Sequence, residues 1–179
     1  WAYSHELGRL HLEQAFGGKL KTLAIEQVNT DDQMKNAVDS AVAAGCNVIF
    51  ATAVQMVHQC VRSAIQYPKV KFFNCSIKMP YSSVHTYYAR MYEAKFLIGA
   101  IAAAVSRTDR LGYVADYPIY GSLANINAFA LGARMINPYV KVYLDWSRLK
   151  EQDGKKRLQQ DGLLFMSDDD MITPNNPTR

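Results

Sequence analysis

The chain has 179 residues, of which 49% are hydrophobic and 20% charged, and its formal net charge is +4. This composition is typical of a folded globular protein and excludes intrinsic disorder, and the length fits one domain or two small lobes. Because no apolar run approaches the roughly 20 residues of a membrane span and the positive charges are scattered, neither a membrane-spanning nor a nucleic-acid-binding protein is favoured.

The hydrophobic pattern alternates between helices and strands along the whole chain. In chain order it predicts a helix over 3–16, a strand over 20–28, a helix over 31–45, a strand over 48–50, a helix over 54–66, strands over 70–73 and 84–88, a helix over 91–106, a strand over 111–115, a helix over 123–135, a strand over 140–144, a helix over 151–160 and a strand over 163–166. The all-apolar run 48–50 is typical of a strand buried on both faces. The alternation predicts an α/β fold with a doubly wound parallel sheet and helices on both faces.

In such a fold, ligands bind beyond the carboxyl ends of the strands. The residues that follow the predicted strands are mainly polar or aromatic: Thr52, Cys75, Ser76, Arg90, Asp116, Tyr117, Asp145, Trp146 and the run 167–170. Further aromatic residues lie at or near strand ends: Trp1, Tyr3, Tyr87, Tyr88 and Tyr120. Aromatic faces stack on planar ligands, although packing is favoured over binding for each single tyrosine and is as well supported as binding for Trp146. The set indicates a binding surface.

Catalytic and metal-binding motifs are absent from the sequence. It contains no glycine-rich phosphate loop and no nucleophile elbow, and its four histidines lack metal-ligand spacing. The three cysteines, at positions 46, 60 and 75, are best interpreted as buried thiols. In the run 168–170, one functional carboxylate beside two solvated ones is favoured over a cation site. No cofactor and no metal is therefore predicted.

Four segments together resemble the basic membrane protein family, the substrate-binding lipoproteins of ABC transporters that include purine nucleoside receptors. They are WAYSHELGR at 1–9, YYARMYEAKFL at 87–97, GYVADYPI at 112–119, and NINAFALGAR at 125–134 with Asn137-Pro138. The match runs over essentially the whole chain, and the combination in this order is specific.

The resemblance implies a type I periplasmic-binding-protein fold, in which two Rossmann-like lobes with parallel sheets enclose a cleft that closes on the ligand. It places the first lobe at 1–107 and the first part of the second lobe at 108–179. Because family members look about twice as long, the chain is expected to be an incomplete portion that lacks the first strand of the first lobe.

The resemblance also implies ligand contacts. Trp1 matches an aromatic that stacks on the purine, and Trp146 lies near the second stacking aromatic. Two positions depart from the nucleoside receptors, which have Asn where this chain has Ala2 and Asp where it has Ser76. A planar heterocycle is still expected, but purine nucleoside specificity is in doubt. The other expected contacts are polar or flanking residues: Thr52, Ser76, Asp116, Tyr117, Asp170 and, more weakly, Arg90.

The resulting hypothesis is a non-enzymatic solute-binding protein that delivers a nucleoside-like ligand to an ABC permease. The alternatives are a ligand-sensing domain of a regulatory or signalling protein on the same fold and, less favoured, an enzyme of nucleoside metabolism. No nucleic-acid partner is expected, and the membrane is expected to be reached only through a lipid anchor outside this chain. The family implies an extracytoplasmic, membrane-anchored lipoprotein, whereas three unpaired thiols would also fit the cytoplasm.

Overall fold

The computed structural model describes residues 2–76, 81–147, 153–168, 170 and 172–175, with the backbone alone of Tyr120. The helices are α1 (Ala2–Phe16), α2 (Asp31–Ala43), α3 (Val57–Gln66), α4 (Met91–Val105), α5 (Tyr120–Ile136) and α6 (Gly154–Gln160), and a 3-10 helix spans Val54–Met56. The strands are β1 (Val48–Ala51), β2 (Lys71–Cys75), β3 (Val84–Tyr87), β4 (Arg110–Ala115) and β5 (Lys141–Trp146). All the strand pairs are parallel, which confirms the predicted α/β class.

The chain folds as two compact units, Trp1–Ala89 and Arg90–Arg179. The helix α4 packs along α5 and so belongs to the second unit. The lobe boundary expected between residues 107 and 108 stays a prediction.

In the first unit, β1, β2 and β3 form a parallel sheet in that order. One face of the sheet is covered by α2 and α3. Met34 and Val38 of α2 and Cys60 of α3 pack there against Phe72 and Val84 of the strands. These strand residues are direct neighbours in the register. Burial of this face supplies the core of the unit.

Two predictions for the first unit are wrong. Residues 20–28 lie within the described part of the chain but form no strand, and Leu23 and Ile25 are 51% and 42% exposed. A β-strand is stabilised by hydrogen bonds to a neighbouring strand, and no strand in the described ranges pairs with residues 20–28. The run 48–50 is a strand, but it is not buried on both faces, because Val48 is 42% and Phe50 57% exposed.

The start of α2 follows from its sequence. The Thr30 hydroxyl accepts a hydrogen bond from the Gln33 amide, and the Gln33 side chain accepts one from the Thr30 amide. This capping box satisfies two amides that the first helical turn leaves without partners. Asp31 and Asp32 add negative charge at the positive end of the helix dipole.

Thr30→Ala is expected to lower the free energy of unfolding by about 1 kcal/mol, because the substitution removes the cap acceptor. Urea unfolding of the two proteins measures this difference. Thr30→Ser is the matched control, since it keeps the hydroxyl and should change stability by less than about 0.5 kcal/mol. Equal losses for the two variants would contradict the assignment of the hydroxyl as the stabilising group.

In the second unit, β4 pairs with β5, and one bridge joins Gly112 to Met166. The predicted strand over 163–166 is thus reduced to a single bridging residue. Successive residues of β4 pack into two different hydrophobic cores, one on each face of the sheet. Tyr113 packs with Phe129 under α4 and α5, and Val114 packs with Leu158 on the opposite face.

The helices α4 and α5 touch through their backbones. A Cβ at Gly99 of α4 would collide with the carbonyl oxygen of Phe129, and one at Gly132 of α5 would collide with the carbonyl oxygen of Phe96. Only glycine permits so close an approach. Among the described residues, no helix combines the length and apolar character that crossing a membrane requires.

Candidate functional site

The carboxyl edge of the first sheet gathers two of the predicted site residues. Thr52 follows β1 directly and Ser76 follows β2, and the strands run parallel, so both residues lie at the same edge. Ser76 is fully buried, and its hydroxyl has no hydrogen-bond partner among the described residues. A buried hydroxyl without a partner is costly, so this edge is suited to a polar group that supplies the missing bond.

Tyr87 adds a phenol at the end of β3. Its register partner is Cys75 of β2, and burial together with the neighbouring Cys75 thiol raises the pKa of the Tyr87 hydroxyl above its ordinary value. The phenol therefore stays protonated at neutral pH and can donate a hydrogen bond. Within the described part of the chain, no group forms a well-aligned hydrogen bond with the Tyr87 hydroxyl oxygen.

The beginning of α1 reaches this same edge. The His5 ring meets the Tyr87 ring edge-on, with ring centroids 6.0 Å apart. Trp1 itself lies outside the described residues, so its stacking role stays a prediction. Tyr3 is half-buried.

Asn74 lies beneath this edge, and the sequence reasoning did not single it out. It is fully buried in β2, and its side-chain amide donates to the carbonyl oxygens of Ala51 at 3.3 Å and Ala53 at 2.9 Å. These two residues flank Thr52. The available signal was an asparagine between the apolar residues Phe73 and Cys75 of β2, because a buried amide needs specific partners.

The second unit presents a similar edge. Asp116 follows β4 and is 3% exposed, and its Oδ1 accepts a hydrogen bond from the Ser147 hydroxyl at 2.8 Å just beyond β5. The Ser167 hydroxyl accepts a bond of 2.9 Å from the Val114 amide of β4, and Lys155 lies 3.1 Å from Asp168. The Asp116 carboxylate and two serine hydroxyls thus lie near the ends of these strands.

The aromatic residues of the second unit differ in their surroundings. Trp146 is the last residue of β5, not a residue beyond it, and it packs partly against the core formed with Tyr113 and Phe129. Tyr117 is 48% exposed. Of the two, Tyr117 is more available for stacking, and Trp146 serves packing at least in part.

Asp170 and Arg90 are held by ion pairs. Asp170 is bound at 2.5 Å by Lys95 of α4, and the Tyr113 hydroxyl donates to both of its oxygens at 3.1 Å. Burial and the Asp170 charge raise the pKa of Tyr113 above its ordinary value. Arg90 precedes α4 and makes an exposed ion pair of 3.1 Å with Glu93. The ligand contacts predicted for Asp170 and Arg90 stay predictions.

None of the three cysteines is paired in a disulfide, and two of them are buried. Cys60 and Cys75 are buried, Cys46 is half-buried, and all three are free. Burial raises the pKa of Cys60 to about 12 and also raises that of Cys75. Neither is a reactive thiolate at neutral pH. Across the described ranges, no three His, Cys, Asp or Glu side chains converge as metal ligands would.

Comparison with known proteins relates the chain to a family. Residues 1–160 match the Bmp family model, described as ABC transporter substrate-binding protein PnrA-like. The chain is 30% identical over 168 residues to a purine-binding protein of Brucella abortus (strain 2308). It is 27% identical over 146 residues to a protein of Haloferax volcanii that is provisionally named as an ABC transporter glucose-binding protein.

Two solved structures share the fold. A transcriptional activator of the comK gene from Bacillus halodurans superposes with a TM-score of 0.75 at 18% identity, covering 93% of this chain and 58% of that one. An ABC transporter solute-binding protein from Conexibacter woesei gives a TM-score of 0.71 at 16% identity, covering 92% of this chain and 57% of that one.

The matched regions cover most of this chain but a smaller part of each relative. The matched regions cover 91% and 82% of this chain, but only 48% of the Brucella protein and 37% of the Haloferax protein. The chain thus spans half or less of the length of these relatives. The family match nevertheless covers most of its own residues. The chain belongs to the Bmp family of PnrA-like ABC transporter substrate-binding proteins.

Proposed function

We propose that this chain is the ligand-binding part of a solute-binding protein that serves an ABC importer, and that its ligand is a purine or a similar planar heterocycle. Family membership over residues 1–160 is the observation that carries the proposal. The name of the Brucella relative supports a purine as the first ligand to test. The partner is then an ABC permease, and the location is outside the cytoplasm, with a lipid anchor supplied beyond this chain.

The chemistry of the edges fits binding rather than turnover. Tyr87 contributes a protonated phenol, and Ser76 a buried hydroxyl. Asp116 contributes a carboxylate oxygen that the Ser147 hydroxyl orients. Such groups fix a polar ligand through directional hydrogen bonds, without forming a covalent bond to it.

Each predicted contact has a proposed role. Trp1, Tyr117 and Trp146 supply aromatic faces for the ring, and each such stack is worth about 1–3 kcal/mol. Thr52, Ser76, Asp116 and Asp170 supply polar contacts, and Arg90 supplies a weaker one. Since Ala2 and Ser76 replace the Asn and Asp of nucleoside receptors, we expect fewer fixed hydrogen bonds to a nucleoside than in those receptors.

Tryptophan fluorescence of the full-length gene product tests the proposal. The probes are adenine, guanine, adenosine and guanosine, with glucose included because a second relative carries that name. We expect a saturable change with at least one purine and no consumption of the ligand. Trp1→Phe and Trp146→Phe test whether either of the two tryptophans of this chain carries the signal.

The same titration can refute the proposal. Saturation by glucose alone would replace the purine with a sugar, and turnover of a nucleoside would exclude a pure binding role. If a purine binds, Trp1→Ala is expected to weaken binding by about tenfold, which corresponds to the loss of one stack. An unchanged affinity would remove Trp1 from the site.

A further inference from the structure

We infer that Asn74 is a positioning residue that fixes the loop carrying Thr52. The inference rests on the proposed function only in assigning a ligand contact to this loop. Asn74 itself lies on β2 beneath the edge. It acts through the backbone on either side of Thr52, and its role would be to hold a binding loop in shape.

The contact is built from one amide and two carbonyls. The Asn74 Nδ2 donates to the oxygens of Ala51 and Ala53, at 3.3 and 2.9 Å. Carbonyl oxygens only accept hydrogen bonds, so the nitrogen, and not the oxygen, of the side chain must face them. One side chain thus ties together the end of β1 and the residue after Thr52.

The Ala53 carbonyl has a second partner. It also accepts a hydrogen bond of 3.1 Å from the Met56 amide, which closes the 3-10 helix Val54–Met56. Ala53 precedes this helix and has no side-chain cap of its own. Asn74 therefore anchors both the turn after β1 and the first bond of the segment that leads into α3.

Few side chains can replace Asn74. Leucine has the same branched arrangement of side-chain heavy atoms but no donor, and an ionised aspartate presents only acceptors to two carbonyl oxygens. A protonated aspartate regains one donor. Since burial and facing carbonyls both disfavour a carboxylate, the new carboxyl in Asn74→Asp should titrate above its ordinary range. This gives the variant a pH signature that the wild-type protein lacks.

The test follows amide exchange in residues 52–56 of the full-length protein at pH 8 and pH 5. In Asn74→Asp at pH 8, we expect these amides to exchange about tenfold faster than wild type at the same pH, because the loop loses its anchor. At pH 5 the difference should largely disappear. Asn74→Leu should show the fast exchange at both pH values.

The control variant is Asn36→Asp, which makes the same change on an exposed position of α2. It should match wild type at both pH values, which separates the effect of the Asn74 substitution from any effect of pH on the rest of the protein. If Asn74→Asp is recovered folded only at pH 5, the pH is raised after purification. Exchange that stays at the wild-type rate in both Asn74 variants would overturn the inference.

A second arm measures adenine and adenosine affinity by calorimetry. We expect Asn74→Asp to bind about tenfold more weakly at pH 8 and to recover at pH 5. Fast loop exchange with unchanged affinity would overturn the positioning role for the ligand. If the wild-type protein binds neither these probes nor guanine or guanosine, the proposed purine ligand is refuted, while the exchange arm still decides what Asn74 does to the loop.

Discussion

Gly99→Ala and Gly132→Ala are each expected to lower the free energy of unfolding by about 3 kcal/mol or more. In both cases the added methyl would collide with a backbone carbonyl oxygen of the facing helix, Phe129 for Gly99 and Phe96 for Gly132. Backbone cannot rotate away as a side chain can. The helices α4 and α5 must therefore separate, and the core between them loses contact.

This core has little capacity to adapt. Ala103 of α4 and Phe129 and Ala133 of α5 are buried against Leu111 and Tyr113 of β4. Protein interiors pack as densely as organic crystals, so a shift of two helices opens voids along the sheet. A loss of this size is a large fraction of the total stability of a small domain. Urea unfolding followed by circular dichroism measures it.

Gly8→Ala is the matched control for the same chemical change. Gly8 lies within α1, and a Cβ there meets nothing within 4 Å. Alanine has the higher helix propensity, so this variant should be more stable by about 0.5–1 kcal/mol. If Gly99→Ala and Gly132→Ala proved as stable as wild type, the close approach of α4 and α5 would be refuted.

Local pattern was enough to predict most of the elements. The repeat of apolar residues gave helices close to the observed α1, α3 and α4. The Thr30 cap and the acidic first turn marked the start of α2. These features depend on neighbours three or four residues away, which a sequence displays directly.

Features that depend on distant partners were missed. The alternation over 20–28 is compatible with a strand, but pairing is decided elsewhere in the fold. The run 48–50 looked fully buried, yet Phe50 lies on a largely exposed sheet face and stacks on Phe73 with ring centroids 4.9 Å apart. Apolar composition predicts a strand, but not what covers it.

The same difference between local pattern and distant partners applies to the candidate site. Thr52, Ser76 and Asp116 could be placed at strand ends, because the end of a strand is visible in the sequence where the run of apolar residues stops. The partners that shape these positions were not predictable in the same way. Asn74 reaches Ala51 and Ala53 across more than 20 residues of sequence, and no spacing rule connects them.

Lys95→Met is expected to destabilise the protein by about 3 kcal/mol, because it leaves the Asp170 carboxylate without its counter-charge. The side chains of Lys95 and Asp170 are only 14% and 10% exposed, and their charged atoms are 2.5 Å apart. Thermal and urea unfolding measure the loss. The double variant Lys95→Met, Asp170→Leu should regain much of it, since no buried charge is then left without a partner.

The exposed pair Arg90–Glu93 provides the comparison. Its side chains are 70% and 56% exposed, so Glu93→Gln should cost less than about 1 kcal/mol. If Lys95→Met were equally mild, Lys95 and Asp170 would be solvated like the surface pair. That result would contradict the burial of these two side chains and the anchoring of Asp170 on the second sheet.

Tyr113 gives this network a dependence on alkaline pH. Burial and then the Asp170 charge raise the pKa of its hydroxyl above the ordinary value of 10.0. Above that pH the unfolded chain loses the Tyr113 proton while the folded protein keeps it, so stability must fall as the pH rises. Tyr113→Phe should make the decline shallower, because a phenyl ring has no proton to lose. Unfolding curves at pH 8 and above measure the slope, and an identical slope in wild type and Tyr113→Phe would show that Tyr113 is not held protonated by its surroundings.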